Sequence, residues 1–294
     1  MNQQNYEHDR ISPTAKLVAY WRSFSDIPFS KDIASLFNVE EVVKSVFKTP
    51  PNNALDDLLV PLVEIRYKCI QNLILKRNIK QVLEFASGIS LRGLAMTSDK
   101  NLTYVETDLP ELNEEKIEII KKIRQKYKIS ENNNLFFHAV NIFNKQDIER
   151  SLQHFDINSN IAIINEGLFQ YLNFDEKKQA ALNIHEILKR FGGIWVTPDF
   201  DTKSDRINRD IDKDHFEPIM KAIAQSTGRS FLDNSFEDEE DINNFFSNLG
   251  FTITKIPQFD NNIKLSTYKN KTLSPALSNM LRSLNLWILR ADTK

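Results

Sequence analysis

From residue 82 onward, short apolar runs alternate with segments of helical periodicity, and this alternation limits the fold more than any other feature of the chain. Val82–Phe85, Leu102–Val105, Leu135–Val140, Ile161–Ile164 and Ile194–Thr197 each have strand length and end in small, acidic or breaking residues. Ile161–Ile164 is apolar on both faces, as a central parallel strand must be. After Pro110, Leu112, Ile117, Ile120, Ile123 and Tyr127 recur at helical spacing, and Asp175–Phe191 reads as a helix stopped by Gly192-Gly193. Asn243–Leu249 reads as a helix ending at Gly250, followed by a strand at Phe251–Thr254 and a last apolar run at Leu286–Leu289. Strands alternating with helices predict an α/β fold, a doubly wound and mostly parallel sheet with helices on both faces.

Such sheets bind ligands at the carboxyl ends of their strands. The apolar and aromatic helical stretch 1–80 is therefore expected to cover that edge. Residues 81–294 would form the ligand-binding α/β part, with a charge-rich insertion at 200–235 and the whole making one compact unit.

Composition excludes several classes of function. With 38 basic and 40 acidic side chains the net charge is −2, which leaves no electrostatic footprint for a phosphate backbone or an anionic lipid surface. Nucleic acid and membrane are not expected partners; no segment approaches the roughly 18 apolar residues of a membrane span. A lone Cys69 can form no internal disulfide and suggests a reducing cytoplasm. The five histidines show no ligand spacing, and Asp210-x-Asp212-x-Asp214 lacks the glycine and the final glutamate of a calcium loop, so no metal is expected. His215 stands in the insertion as a candidate base.

The sharpest local signal is Glu84-x-Ala86-x-Gly88 after the first strand, paired with Glu106 at the end of the second. Small residues let backbone amides approach a ligand, and an acid about twenty residues on can accept hydrogen bonds from ribose hydroxyls. A dinucleotide site wants G-x-G-x-x-G, but these positions hold Ala86, Gly88 and Leu91. Glu84, two places before the first small residue, suits a cofactor with a positive amino group and no phosphate, such as S-adenosylmethionine.

At these residues the chain resembles a known family, the S-adenosylmethionine-dependent methyltransferases that group leucine carboxyl methyltransferases with polyketide-pathway O-methyltransferases. The markers are Thr14-Ala15-Lys16 with Arg22, Arg66, Val82 to Gly88, Tyr104-Val105-Glu106-Thr107-Asp108-Leu109-Pro110 with Lys116, and Glu166-Gly167-Leu168-Phe169-Gln170-Tyr171-Leu172. The resemblance implies a seven-stranded Rossmann-like sheet. It further implies that Arg66 and Lys16 bind the carboxylate end of the cofactor, and that Ala86 and Gly88 allow close backbone approach. Glu106 and Asp108 compete for the ribose, Asn141 and Ile142 flank the adenine, and Glu166 faces the methionine amino group. Two positions depart from the family, which has Gly at Ala86 and Asp at Asn141.

Each candidate also has a plainer reading. Asp108 can cap the helix that starts near Pro110, while Arg66 and Lys16 can be surface cations. The expected activity is methyl transfer from S-adenosylmethionine to a hydroxyl or carboxylate of a small-molecule acceptor, leaving S-adenosylhomocysteine. Tyr171 and Arg22 are the candidates for positioning that acceptor. Alternatives are a non-catalytic sensor of the same cofactor and a nicotinamide oxidoreductase on the same sheet.

Overall fold

A computed structural model of the protein describes residues 12–39, 41, 53–131, 133–208, 221, 224–225, 228–230, 233–260, 262–269 and 272–292. The elements run α1 (Ser12–Arg22), α2 (Ser30–Leu36), α3 (Asn53–Lys76), β1 (Gln81–Phe85), α4 (Arg92–Met96), β2 (Thr103–Asp108), α5 (Pro110–Tyr127) and β3 (Leu135–Ala139). They continue with α6 (Lys145–Leu152), β4 (Ile161–Asn165), α7 (Phe174–Phe191), β5 (Gly193–Thr197), α8 (Lys203–Asn208), α9 (Glu239–Ser247), β6 (Phe251–Pro257), α10 (Pro275–Ser283) and β7 (Asn285–Ala291).

The seven strands form one sheet in the order β3-β2-β1-β4-β5-β7-β6. β1 to β5 are parallel, and β7 runs antiparallel to both β5 and β6. This is the mostly parallel, doubly wound sheet that the alternation predicts, closed by one antiparallel hairpin. The strand order reverses between β1 and β4, which opens a crevice at their carboxyl ends.

Alternation along each strand divides the core into two layers. Val82, Tyr104, Ala162, Ile164 and Val196 pack on one face against Ala19, Ile33, Ile65 and Ile70 of α1 to α3, and against Ile119 and Ile123 of α5. Leu83, Val105, Ile161, Ile163 and Trp195 pack on the other face against Ile148 of α6, Ile184 and Leu188 of α7, and Phe246 of α9. Every residue of β1 and β4 is buried, which explains why neither shows an apolar-polar alternation in sequence.

α7 begins with a reciprocal capping box between Asn173 and Glu176. It ends at Gly192 and Gly193. A Cβ on Gly193 would meet the Ile161 carbonyl oxygen at 1.9 Å, so only glycine lets the helix turn into β5 at this point. α9 starts four residues before the predicted Asn243, because the acidic run belongs to its first turn. Asp238 caps that turn by accepting the Asp241 N–H at 2.9 Å. Among the described residues no helix is long and apolar enough to cross a membrane. Half of the insertion at 200–235, with His215 and the three aspartates before it, lies outside the described residues.

Candidate active site

A cavity of about 570 Å³ lies at the carboxyl ends of β1, β2 and β4 and is covered by α1, α2 and α3. Of the residues singled out by sequence, it brings together Arg22 and Arg66 from the N-terminal helices, Glu84 in β1 with Ala86 and Gly88 beyond it, and Asp108 at the end of β2. Asn141 and Ile142 after β3, and Glu166 and Tyr171 after β4, complete that set. Lys16 and Glu106 are not on its wall.

The turn after β1 is left-handed at both small positions, with φ +49° at Ala86 and +56° at Gly88. It is fastened to β2, where Ser87 donates its N–H to the Thr107 carbonyl at 3.0 Å and Gly88 donates to Asp108 Oδ2 at 2.7 Å. Leu109 N–H donates to Asp108 Oδ1 at 2.8 Å. The cap of α5 is Leu109, not Asp108, with no side-chain cap bond. Burial pushes the Asp108 carboxyl up, opposed by these two N–H donors and the Lys116 charge. Each carboxylate oxygen has a second lone pair, so Asp108 can still accept hydrogen bonds from a ligand in the cavity.

Glu106 departs from its expected place. Its side chain is 1 % exposed, ion-paired with the equally buried Lys116, and accepts the Gly93 N–H at 2.7 Å. It lies two residues back from the end of β2, about 6–7 Å from the carboxyl edge, and α4 closes over it. A Cβ on Gly93 would come within 2.5 Å of Glu106 Oε1, so glycine is what allows the helix to sit so close. Lys116 also donates to Ser87 Oγ at 2.9 Å, so the pair supports the turn from beneath. Lys16 pairs at 3.7 Å with Glu115, which lines the cavity, and lies over the Phe37 ring.

Glu166 forms the centre of a buried ionic cluster. It accepts from Arg22 of α1, from Arg66 Nε of α3 at 2.8 Å, and from Arg92 Nη2 of α4 at 2.5 Å. Arg92, fully buried, also pairs with Glu84 and lies 4.5 Å from the centre of the Tyr67 ring. Tyr104 donates its hydroxyl to Glu84 Oε2 at 2.6 Å. Burial alone would raise the Glu166 carboxyl, but Arg22, Arg66 and Arg92 hold it well below the usual carboxylate range. Both its oxygens are thus engaged by guanidinium groups, which was not foreseen for a residue expected to meet an amino group. The three guanidiniums pair with the carboxylates of Glu84 and Glu166, and the Asp199 carboxylate acts on Arg66 as a third. Arg66 spends only Nε on Glu166 and lines the cavity, which leaves its planar fork available for a ligand carboxylate.

Sequence reading missed three contributors. Arg92 interrupts the apolar stretch Leu91 to Met96, and a cation in such a stretch needs buried partners. Asp199, just beyond β5, accepts the N–H groups of Gly167, Leu168 and Phe169 at 2.7–2.9 Å and so shapes the loop after β4. An acid directly after an apolar strand was the signal used for Glu166 and applies equally to Asp199. Asp147 of α6 lines the cavity beside Asn141 and accepts its N–H at 3.2 Å, while Asn141 Oδ1 turns back to the Phe143 N–H at 3.0 Å. An acid therefore does stand at this end of the cavity, supplied by the next helix. Tyr171 is 4 % exposed on the wall, and burial pushes its phenol up.

A family model described as leucine carboxyl methyltransferase matches residues 48–185. Among solved structures, a DUF574 family protein from Streptomyces avermitilis aligns with a TM-score of 0.57 at 11 % identity, covering 95 % of this chain and 97 % of that one. The methyltransferase domain of bacterial CtHen1 aligns with a TM-score of 0.50 at 9 % identity, covering 79 % and 100 %. At these identities the likeness is one of fold. No curated protein matches the sequence.

Proposed function

Taking as premise that the chain belongs, through residues 48–185, to the leucine carboxyl methyltransferase family, we propose that it transfers the methyl group of S-adenosylmethionine to an oxygen of a small molecule, a hydroxyl or a carboxylate. The observation that carries this reading is the cavity at the switch between β1 and β4, bounded by the Ala86–Gly88 turn, Asp108 and Arg66. Its donor set fits the cofactor. Asp108 offers acceptor oxygens to a ribose diol, Ile142 and Phe143 an apolar wall to a flat base, and Arg66 an unspent fork to a carboxylate.

Bound there, the cofactor supplies a methyl group already activated on a sulfonium. The work left to the protein is alignment and exclusion of water. Glu166 orients Arg22 and Arg66, and the unspent guanidinium N–H groups of Arg66 favour the cofactor's carboxylate end. α1 and α2 cover the cavity from solvent. Tyr171 and Arg22, both on the wall, position the acceptor. A carboxylate acceptor is ionised at neutral pH and needs no base. Asn165-Glu166-Gly167-Leu168 stands in place of the N-P-P-[YF] pattern, which argues against amino-group methylation of the nucleic-acid kind. The buried, single Cys69 suits a reducing cytoplasm as the place of action.

Calorimetric titration with S-adenosylhomocysteine tests the reading. Wild type should bind, and Asp108→Ala should weaken binding by roughly ten- to a hundredfold, the loss typical of a polar partner left unmatched. Absence of heat for wild type at millimolar ligand would overturn it. Binding without transfer of labelled methyl to any phenol, hydroxy acid or carboxylic acid would favour the sensor reading instead.

A further inference from the structure

Asp147 has no part in the contacts proposed above, yet it stands where the loop after β3 meets the cavity. It is the third residue of α6 and lines the cavity together with Asn141, Ile142 and Phe143. Its side chain keeps 18 % of its surface exposed. Oδ2 accepts the Asn141 N–H at 3.2 Å, and Oδ1 accepts from the exposed Arg150. One contact on each oxygen leaves each a further lone pair. The bond to Asn141 also fixes where the carboxylate lies, beside the backbone that leads into Ile142. The Asn141 and Phe143 N–H groups are spent, on Asp147 and on Asn141 Oδ1, whereas the Ile142 N–H between them has no acceptor among the described residues.

A plainer account exists for part of this. An acid in the first turn complements the helix dipole, and its pair with an exposed arginine contributes little. Neither role calls for a carboxylate on the cavity wall. An acceptor beside an unspent N–H matches the edge of adenine, whose exocyclic amino group donates and whose neighbouring ring nitrogen N1 accepts. Hypoxanthine reverses both positions, with a carbonyl oxygen at C6 and a proton on N1. We propose that Asp147 is the specificity-determining residue for the base of the cofactor, accepting a hydrogen bond from the adenine amino group and rejecting a base that carries oxygen there. This rests on the methyltransferase reading and adds to it which side chain reads the base. Asn141, with its own side-chain oxygen turned back on Phe143, leaves that contact to the acid of the next helix.

The test titrates the full chain calorimetrically with S-adenosylhomocysteine and with S-inosylhomocysteine, its deaminated counterpart. Wild type should prefer the adenine form by roughly tenfold or more, since the carboxylate would face a carbonyl oxygen in the other. Asp147→Asn keeps an oxygen for the Asn141 N–H and offers an amide that can donate to that carbonyl, so the preference should shrink by about fivefold or more. Asp147→Ala should shrink it as well, because the rejecting charge is gone. A structural role alone would weaken both ligands alike, so an unchanged preference in the two variants would overturn the proposal. Equal binding of the two ligands by wild type would overturn it too. Either result leaves cofactor binding itself intact. Failure of wild type to bind S-adenosylhomocysteine would remove the underlying reading, and this inference with it.

Discussion

The Gly88 N–H and the Asp108 carboxylate meet at 2.7 Å, joining the turn after β1 to the end of β2 across twenty residues of sequence. Asp108 is thereby held at the edge of the cavity by two N–H donors, from Gly88 and Leu109, and among the described residues no cation bonds either oxygen. Two residues earlier, Glu106 is enclosed with Lys116. One strand thus carries two acids with different physical roles, and they should respond differently to mutation.

Glu106→Ala leaves the Lys116 ammonium buried without its counter-charge and the Gly93 N–H without an acceptor. Removing one partner of a buried pair costs about 3–5 kcal/mol. Urea denaturation should show a loss of that size. S-adenosylhomocysteine affinity of the fraction that stays folded should remain close to wild type. A stable variant with hundredfold weaker binding would place Glu106 at the ligand after all.

Glu166→Gln should destabilise the protein by a similar amount, about 3–5 kcal/mol at pH 7, since three guanidiniums lose their shared carboxylate. The folded carboxyl titrates well below its ordinary value. Its contribution is therefore complete above the unfolded pKa near 4.3 and fades as pH falls below it. The gap in stability between wild type and variant should hold from pH 7 to about pH 5 and narrow only below that, toward pH 3. Unfolding curves at both ends of that range check it.

Ala86 holds φ +49°, where its Cβ costs about 1–2 kcal/mol that glycine does not pay. Against this, glycine makes the unfolded chain more flexible by about 0.4–1 kcal/mol. Ala86→Gly should accordingly leave stability unchanged or raise it by about 1 kcal/mol. Because Ala86 lines the cavity, removing its methyl should not weaken S-adenosylhomocysteine binding. Thermal unfolding and calorimetry on the same sample test both statements.

His138 Nε2 and His154 Nε2 lie 2.8 Å apart on the β3 side of the sheet, with His154 stacked on Phe136 at 3.6 Å between ring centres. Partial burial lowers the pKa of both rings, and for His138 the neighbouring His154 and Arg150 lower it further. Near and below pH 6.5 the unfolded chain therefore binds more protons than the folded one, and stability falls as pH drops through that window. The midpoint of urea unfolding should decline between pH 7.5 and pH 5.5, and decline less in His154→Phe, which keeps a stacking ring. An equal decline in both proteins would place the titration elsewhere.

The strands were legible because hydrophobic periodicity is local: each run of four or five apolar residues between breakers specifies a strand whatever it pairs with. Boundaries slipped where polar residues entered an element, as at α9, whose acidic first turn resembles loop in composition. The turn at Ala86–Gly88, the acids after β2 and the loop after β4 were also readable, since sharp turns and strand ends use few residue types. Arg92 and Asp199 were not singled out. A buried charge is recognised by its partners, and these come from other elements.

Sequence by itself thus determined a doubly wound sheet and the strand ends at which a ligand can be held. Tertiary structure alone decided which acid reaches the cavity, that Lys16 turns toward Glu115, and that Arg22 closes on Glu166 across 144 residues. Apolar burial follows from pattern along the chain, whereas the pairing of charges depends on distances through space that no pattern along the chain encodes.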